Sequence, residues 1–123
     1  MKRLTICSSI KFKDQVRDAI EQMAKHGVSG AFPNLDSGVK KEDVDLKFMR
    51  RLEGEHFKSI DKSAGVYVIC PNGYVGTLVS VEIGYAKAQG KTIIFSEKPK
   101  DLSLQALADS YIPMNGLDRL KDL

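Results

Sequence analysis

Gly65-Val-Tyr-Val-Ile-Cys70-Pro71-Asn-Gly-Tyr-Val-Gly-Thr-Leu-Val-Ser-Val-Glu82-Ile-Gly-Tyr-Ala86 carries the reading of the fold. Its first six residues form an apolar run, the pattern of a strand covered on both faces in a parallel sheet. A loop with two glycines follows and gives way at Thr77 to residues of helical spacing. Strand, loop and helix in that order build an open α/β sheet, whose ligands bind at the carboxyl ends of the strands. At roughly 100° per residue, Ser80, Gly84 and Lys87 fall within about 60° of one another and form a solvent-facing stripe. Glu82 points about 200° from Ser80, into the side that must pack. It is the only acidic residue between Asp61 and Glu97. A charge on the packed side is expensive unless something uses it.

The same alternation runs through the whole chain. Arg3–Ser8 reads as a strand and Lys11–His26 as a helix, with Phe12, Val16, Ala19, Ile20 and Met23 at helical spacing and Gly27 at the stop. Val28–Phe32 is a weaker strand ended by Pro33. Asn34–Lys41 is a polar loop with Asp36-Ser-Gly turn chemistry. Asp43–Ser63 is a long helix with Val44, Phe48, Leu52 and Ile60 inward. After Gly65–Cys70 and the helix Thr77–Gln89 come a strand Lys91–Phe95, a short helix Ser103–Asp109, an edge strand Tyr111–Met114 and a helical end Gly116–Leu123. Short connections between alternating strands and helices predict right-handed crossovers. The expected fold is a single three-layer, flavodoxin-like or Rossmann-like α/β domain over residues 1–123. Its five-stranded parallel sheet would have the order 2-1-3-4-5.

The 123 residues suffice for one core, and 42% hydrophobic with 28% charged residues is ordinary for a globular chain. A net charge of +3, spread out, gives no argument for a nucleic-acid or membrane partner. The basic run Lys40 to Lys62 is mixed with Glu42, Asp43, Asp45, Glu53, Glu55 and Asp61 and reads as a solvated helix face. No apolar run is long enough to span a membrane, and the N-terminus lacks a signal-peptide core, so a cytoplasmic location is expected. Cys7 and Cys70 sit in apolar runs and read as buried free thiols. Cys7, Cys70, His26 and His56 lack metal-ligand spacing, so neither a metal nor an organic cofactor is expected.

Four features bear on chemistry. Glu82 falls in the second turn of its helix, with Thr77 as the expected N-cap. The helix dipole there favours an ionised carboxylate and burial opposes it. Such a group suits attack on a sugar carbon or stabilisation of an oxocarbenium-like centre. The loop Pro71–Thr77 ends at a helix N-terminus, an anion site of backbone amides, though its glycines equally serve the turn alone. It is neither a P-loop nor G-x-G-x-x-G. Ser8 and Ser9 follow the first strand, either facing the Gly73 loop or capping the first helix. His56 lies within the apolar stripe of its helix, either as a packed side chain or as a group that orients Glu82 or donates a proton. His26 ends the first helix as a favourable C-terminal charge.

His56-Phe-Lys-Ser-Ile60, Val66-Tyr-Val-Ile, Asn72-Gly-Tyr-Val-Gly-Thr and Glu82-Ile-Gly-Tyr-Ala-Lys-Ala-Gln-Gly90-Lys together resemble the nucleoside 2-deoxyribosyltransferase-like superfamily, which includes deoxynucleoside monophosphate N-glycosidases. The resemblance implies a glutamate nucleophile at Glu82 that expels the base and forms a glycosyl-enzyme. It implies His56 at the place of an aspartate that helps protonate the leaving base. Phe12 is the only aromatic residue near the first loop, where the family holds the base. Ser8, Ser9, Phe12, Gly73, Tyr74, Gly76, Thr77 and Ser80 are the expected substrate-binding residues. The implied partner is a small-molecule nucleoside or nucleotide, and homo-oligomers, dimers or higher, are usual in the family. Two alternatives stand beside this reading. One is a non-catalytic nucleotide-binding or sensing module on the same scaffold. The other is a phosphoribohydrolase of the lysine-decarboxylase-like kind, whose Pro-Gly-Gly-x-Gly-Thr loop the chain matches in part, with Asn72 at the second position.

Overall fold

The computed structural model describes residues 2–36 and 38–123, so Ser37 of the predicted Asp36-Ser-Gly turn lies outside the described residues. Five strands, β1 (Lys2–Cys7), β2 (Val28–Ala31), β3 (Gly65–Val68), β4 (Thr92–Phe95) and β5 (Ser110–Tyr111), form one sheet in the order β2-β1-β3-β4-β5. Every pairing is parallel. Among the described residues four α-helices accompany them: α1 (Lys13–Lys25), α2 (Leu46–Asp61), α3 (Thr77–Ala88) and the single turn α4 (Leu102–Gln105). The architecture is the expected α/β sheet with helices on both faces.

The two-residue period of the strands sorts the core into two layers. Leu4 and Ile6 of β1, Tyr67 of β3, Ile69 just beyond it and Ile94 of β4 meet Val16, Ala19 and Met23 of α1, with Leu117 and Leu120 of the C-terminal segment. Their neighbours Cys7, Val66, Val68, Cys70, Ile93 and Phe95 turn to the other face and meet Ile60 of α2 and Val79, Ile83 and Ala86 of α3. Cys7, the last residue of β1, therefore lies under the same layer as Glu82.

Several boundaries move, each for a local reason. Helix α2 starts at Leu46 because Asp45 is extended and its carboxylate accepts from the Phe48 amide at 2.8 Å, an N-cap contact. Residues Lys41–Asp43 form a separate 3₁₀ turn, and Val44, predicted inward, precedes the helix and is 42% exposed. A 3₁₀ turn over Ile10–Phe12 precedes α1. The predicted helical end is a 3₁₀ segment, Met114–Asp122. On α3, Val81 is 50% and Leu78 39% exposed, so the solvent side extends well beyond Gly84 and Lys87.

Polar contacts fix α2 on β1. The Thr5 hydroxyl lies 2.7 Å from that of Ser59 and 2.8 Å from that of Ser63, and Arg3 Nη2 donates to Ser59 Oγ at 3.0 Å. Thr5, Ser59 and Ser63 are all buried. Buried hydroxyls that lose a partner cost about 1–3 kcal/mol. Thr5→Val, which keeps the shape and removes the hydroxyl, is expected to lower unfolding stability by that amount in urea denaturation. An unchanged midpoint would show that these contacts do not hold the helix.

Candidate active site

Helix α3 packs its Val79, Ile83 and Ala86 side on the sheet, and Glu82, three positions after Val79 and four before Ala86, borders that side. Its side chain is buried, with the whole residue 4% exposed. Gly76, not the predicted Thr77, is the N-cap, with no side-chain cap, and Thr77 is the first helical residue. Glu82 lies in the second turn as expected.

Three groups meet this carboxyl. From α2, His56 Nε2 stands 4.0 Å from Glu82 Oε1. One turn earlier on α2, Glu53 lies near enough for its charge to act on Glu82. From β1, the buried Cys7 thiol lies near enough for the Glu82 charge to act on it. Glu82 Oε1, Glu53 Oε1 and His56 Nδ1 are buried without a hydrogen-bond partner. Burial, and then the facing Glu53 carboxylate, push Glu82 up to about 9. Burial also raises Glu53, opposed in part by its neighbour Glu82. Burial and Glu82 hold the Cys7 thiol protonated well above the usual thiol range. Burial lowers His56, opposed in part by the Ile6 carbonyl 3.4 Å from Nε2 and by Glu55. The imidazole is thus neutral near pH 7, with Nε2–H toward Ile6 and Glu82. The Phe32 ring meets His56 edge-on, with centroids 5.1 Å apart.

Glu53, expected on a solvated face, is instead half-buried, with its Oε1 shut off from solvent. The signal was the spacing: seven positions before Ile60, Glu53 falls roughly 20° from that core residue on a helical wheel.

The other expected residues lie at the same sheet edge in varied roles. The Ser8 hydroxyl donates to the carbonyls of Ile69 and Ser9, both at 3.3 Å, and Ser9 Oγ accepts from Lys11 N, capping the 3₁₀ turn. Phe12 meets Tyr74 edge-on at 6.1 Å, and Lys11 Nζ lies 3.7 Å from the Tyr74 ring centroid. The β1–α1 and β3–α3 connections therefore touch. Asn72 and Gly73 are left-handed at φ 59° and 75°. A Cβ on Gly73 would sit 3.0 Å from Lys100 N and 3.1 Å from Lys98 O, so its place is structural as well as local to the loop. Ser80 Oγ donates back to Gly76 O at 2.9 Å. His26 ends α1 on the opposite face of the sheet, beside an open cavity of about 370 Å³ lined also by Asp18 and Asp118. A second cavity of about 120 Å³ opens beside Lys2 and Thr92 at the amino end of the strands. Neither touches Glu82.

Among the described residues, no three His, Cys, Asp or Glu side chains are grouped to hold a metal ion, and no helix is long and apolar enough to cross a membrane. Cys7 and Cys70 are buried free thiols.

No protein-family model matches the chain, and no curated protein matches it significantly. Solved structures do. The chain is similar to a 2-deoxyribosyltransferase from the psychrotolerant bacterium Bacillus psychrosaccharolyticus, with a TM-score of 0.66 and 11% identity over 94% of this chain and 90% of that one. It is similar to a conserved protein from Enterococcus faecalis V583, at TM-score 0.56 and 15% identity over 98% and 87% of the two chains. A third likeness is to a 3-dehydroquinate dehydratase-like protein from Bifidobacterium longum, at TM-score 0.51 and 12% identity over 99% and 94%. At these identities the likeness is one of architecture: the chain has the α/β fold found in a 2-deoxyribosyltransferase, over nearly its whole length.

Proposed function

We propose that this chain cleaves or exchanges the N-glycosidic bond of a (deoxy)nucleoside or nucleoside 5′-monophosphate, with Glu82 as the nucleophile. The observation that carries this reading is the Glu82 carboxyl. It is 4% exposed, with one oxygen unpartnered, beside the last residue of β1 at the carboxyl edge of a parallel sheet. A fold does not keep an unpaired buried carboxyl for stability. The shared architecture with a 2-deoxyribosyltransferase supports the same bond as target.

In the reaction, the ionised Glu82 oxygen bonds to C1′ of the sugar. The C1′–N bond breaks and its electron pair leaves with the base. A second base or water then takes the sugar from the glycosyl-enzyme. His56, with Nε2 4.0 Å from Glu82 Oε1, is the acid/base or orienting group of this reading. Phe12 and Tyr74 offer ring surfaces to the base. Ser8, Ser9, Gly73 and Ser80 border the sugar. The uncapped first turn of α3 at Gly76 and Thr77 suits sugar or phosphate oxygens. A cytoplasmic homo-oligomer completes the reading, and the exposed Leu78 and Val81 on α3 support association.

The test incubates the protein with a panel of nucleosides and monophosphates and follows free base by chromatography. The native chain is expected to release base and Glu82→Ala is not. Release unaffected by the substitution would remove Glu82 from the chemistry. Adding a second free base separates transfer, which gives a new nucleoside, from hydrolysis, which gives free sugar. One observation favours the rival binding module: a Glu82 that holds its proton near pH 7 is a hydrogen-bond donor. That module would bind a nucleotide tightly and return it unchanged.

A further inference from the structure

We infer that Lys11 sets the substrate preference of this site: its ammonium receives a 5′-phosphate, so nucleoside 5′-monophosphates are taken before nucleosides. The inference rests on the proposed site at the carboxyl edge of the sheet and decides between two substrates which that reading leaves side by side.

The 3₁₀ turn Ile10–Phe12 is pinned at its start, where Ser9 Oγ accepts from the Lys11 amide. The turn leaves Ile10 57% exposed and brings Lys11 and Phe12 against the β3–α3 connection. There Lys11 Nζ lies 3.7 Å from the centroid of the Tyr74 ring and 5.3 Å from that of Phe12. The hydroxyl end of the same Tyr74 ring lies against Gly76, where a Cβ would sit 3.4 Å from the phenol oxygen. One ring therefore joins the Lys11 ammonium to the N-cap of α3.

This ammonium has no acid to hold it. The salt-bridge contacts among the described residues involve Arg17, His56 and Lys87, and none involves Lys11. The two connections that meet here, residues 8–13 and 71–77, contain two lysines and no carboxylate. An aromatic face attracts a cation but neither neutralises it nor accepts its N–H donors as an oxygen does. A phosphate ester supplies both, as negative charge and as acceptor oxygens. The lysine is also a compact point charge on a flexible stem, so it can leave the ring for an anion beside Gly76 without moving the backbone. In the proposed reading the sugar lies between Glu82 and this rim. The 5′-phosphate is then the group of a nucleotide that answers an unpaired cation, and a nucleoside has nothing to offer it.

The test is calorimetric titration with the common 2′-deoxynucleosides, their 5′-monophosphates and inorganic phosphate. The protein is Glu82→Gln, expected to bind without turnover, alone and combined with Lys11→Met, Lys11→Arg or Lys25→Met. Glu82→Gln is expected to bind at least one monophosphate about 10- to 100-fold more tightly than its nucleoside, the range of a hydrogen bond to a charged group. Lys11→Met keeps an apolar stem beside the rings and is expected to abolish that ratio while nucleoside affinity stays. Lys11→Arg is expected to keep the ratio. Lys25→Met removes the same charge at the far end of α1 and is expected to leave the ratio unchanged. Equal weakening of both ligands in Lys11→Met means that Lys11 only holds the two connections together, and overturns the inference. So does a ratio that survives Lys11→Met, falls in Lys25→Met or is absent from Glu82→Gln itself. Inorganic phosphate bound as tightly as the monophosphates marks a bare anion site and overturns it as well. The chemistry is judged separately on chains with native Glu82, by base release. The kcat/KM ratio of monophosphate to nucleoside is expected to match the binding ratio and to vanish in Lys11→Met. A Lys11-dependent binding ratio in a native chain that releases no base overturns the glycosidic reading and leaves Lys11 as the selector of a nucleotide-binding module.

Discussion

Glu82→Gln yields a protein that releases no base and unfolds at a higher temperature than the native chain. Both halves follow from one side chain. The amide matches the carboxyl in shape and cannot bond to C1′, so base release falls by at least about 10³-fold. The gain in stability comes from the folded state. An orphaned buried oxygen and a facing carboxyl make Glu82 a costly group to keep inside. Glutamine has no charge to hide. The expected gain is about 1–3 kcal/mol near pH 7.5, several degrees in melting temperature for a domain of this size. Chromatography for free base and a calorimetric scan check the two halves together. A variant that is both inactive and less stable would mean that Glu82 makes net favourable contacts in the fold, and a structural role would then account for its burial.

The strands and their order were legible because each signal is local. The apolar run Gly65–Cys70 needs cover on both faces, and the stops at Gly27 and Gly90 are both left-handed in the structure, at φ 73° and 72°. Glu82 was legible for the same reason: one charge in a helix of apolar residues stands out. Glu53 was not noticed because it sits among Arg50, Arg51, Glu55 and Lys58, where one inward charge is hidden among outward ones, although its spacing from Ile60 marked it. The outer surface of α3 was misread for a different cause. Leu78 and Val81 belong to a helix apolar almost all round, which the pattern alone reads as packed on most sides. In the structure the sheet takes Val79, Ile83 and Ala86, and the Phe57 ring of α2 takes Tyr85, with centroids 4.4 Å apart. Which apolar residues of a helix find a partner depends on what surrounds it, and periodicity does not contain that. The meeting of Cys7 with Glu82 was illegible too, because only the sheet order brings the end of β1 beneath α3.

The stability of the native chain is expected to fall steadily from about pH 6.5 to about pH 9. Glu82 has an ordinary value near 4.5 and is pushed up to about 9 in the fold. Between those two values the folded chain holds a proton that the unfolded chain has released. Stability therefore decreases as pH rises through the window, by up to about 1.4 kcal/mol per unit. Glu53, also raised, acts in the same direction at the lower end. His56 acts the other way. Its folded value is lowered from 6.5, so the unfolded chain binds the extra proton and stability rises with pH up to about 6.5. The opposed slopes largely cancel below that point, and above it only the fall survives. Cys7, raised well above 9.0, extends the fall into more alkaline solution, because the unfolded thiol ionises first. Urea midpoints measured at intervals from pH 6 to pH 10 would follow this course, and the burial of Glu82 makes a sharper demand on the variant. Glu82→Gln should be nearly level from pH 7 to 9 and should turn down only where the thiol titrates. If native and variant midpoints run parallel across that range, Glu82 is ionised in the folded protein.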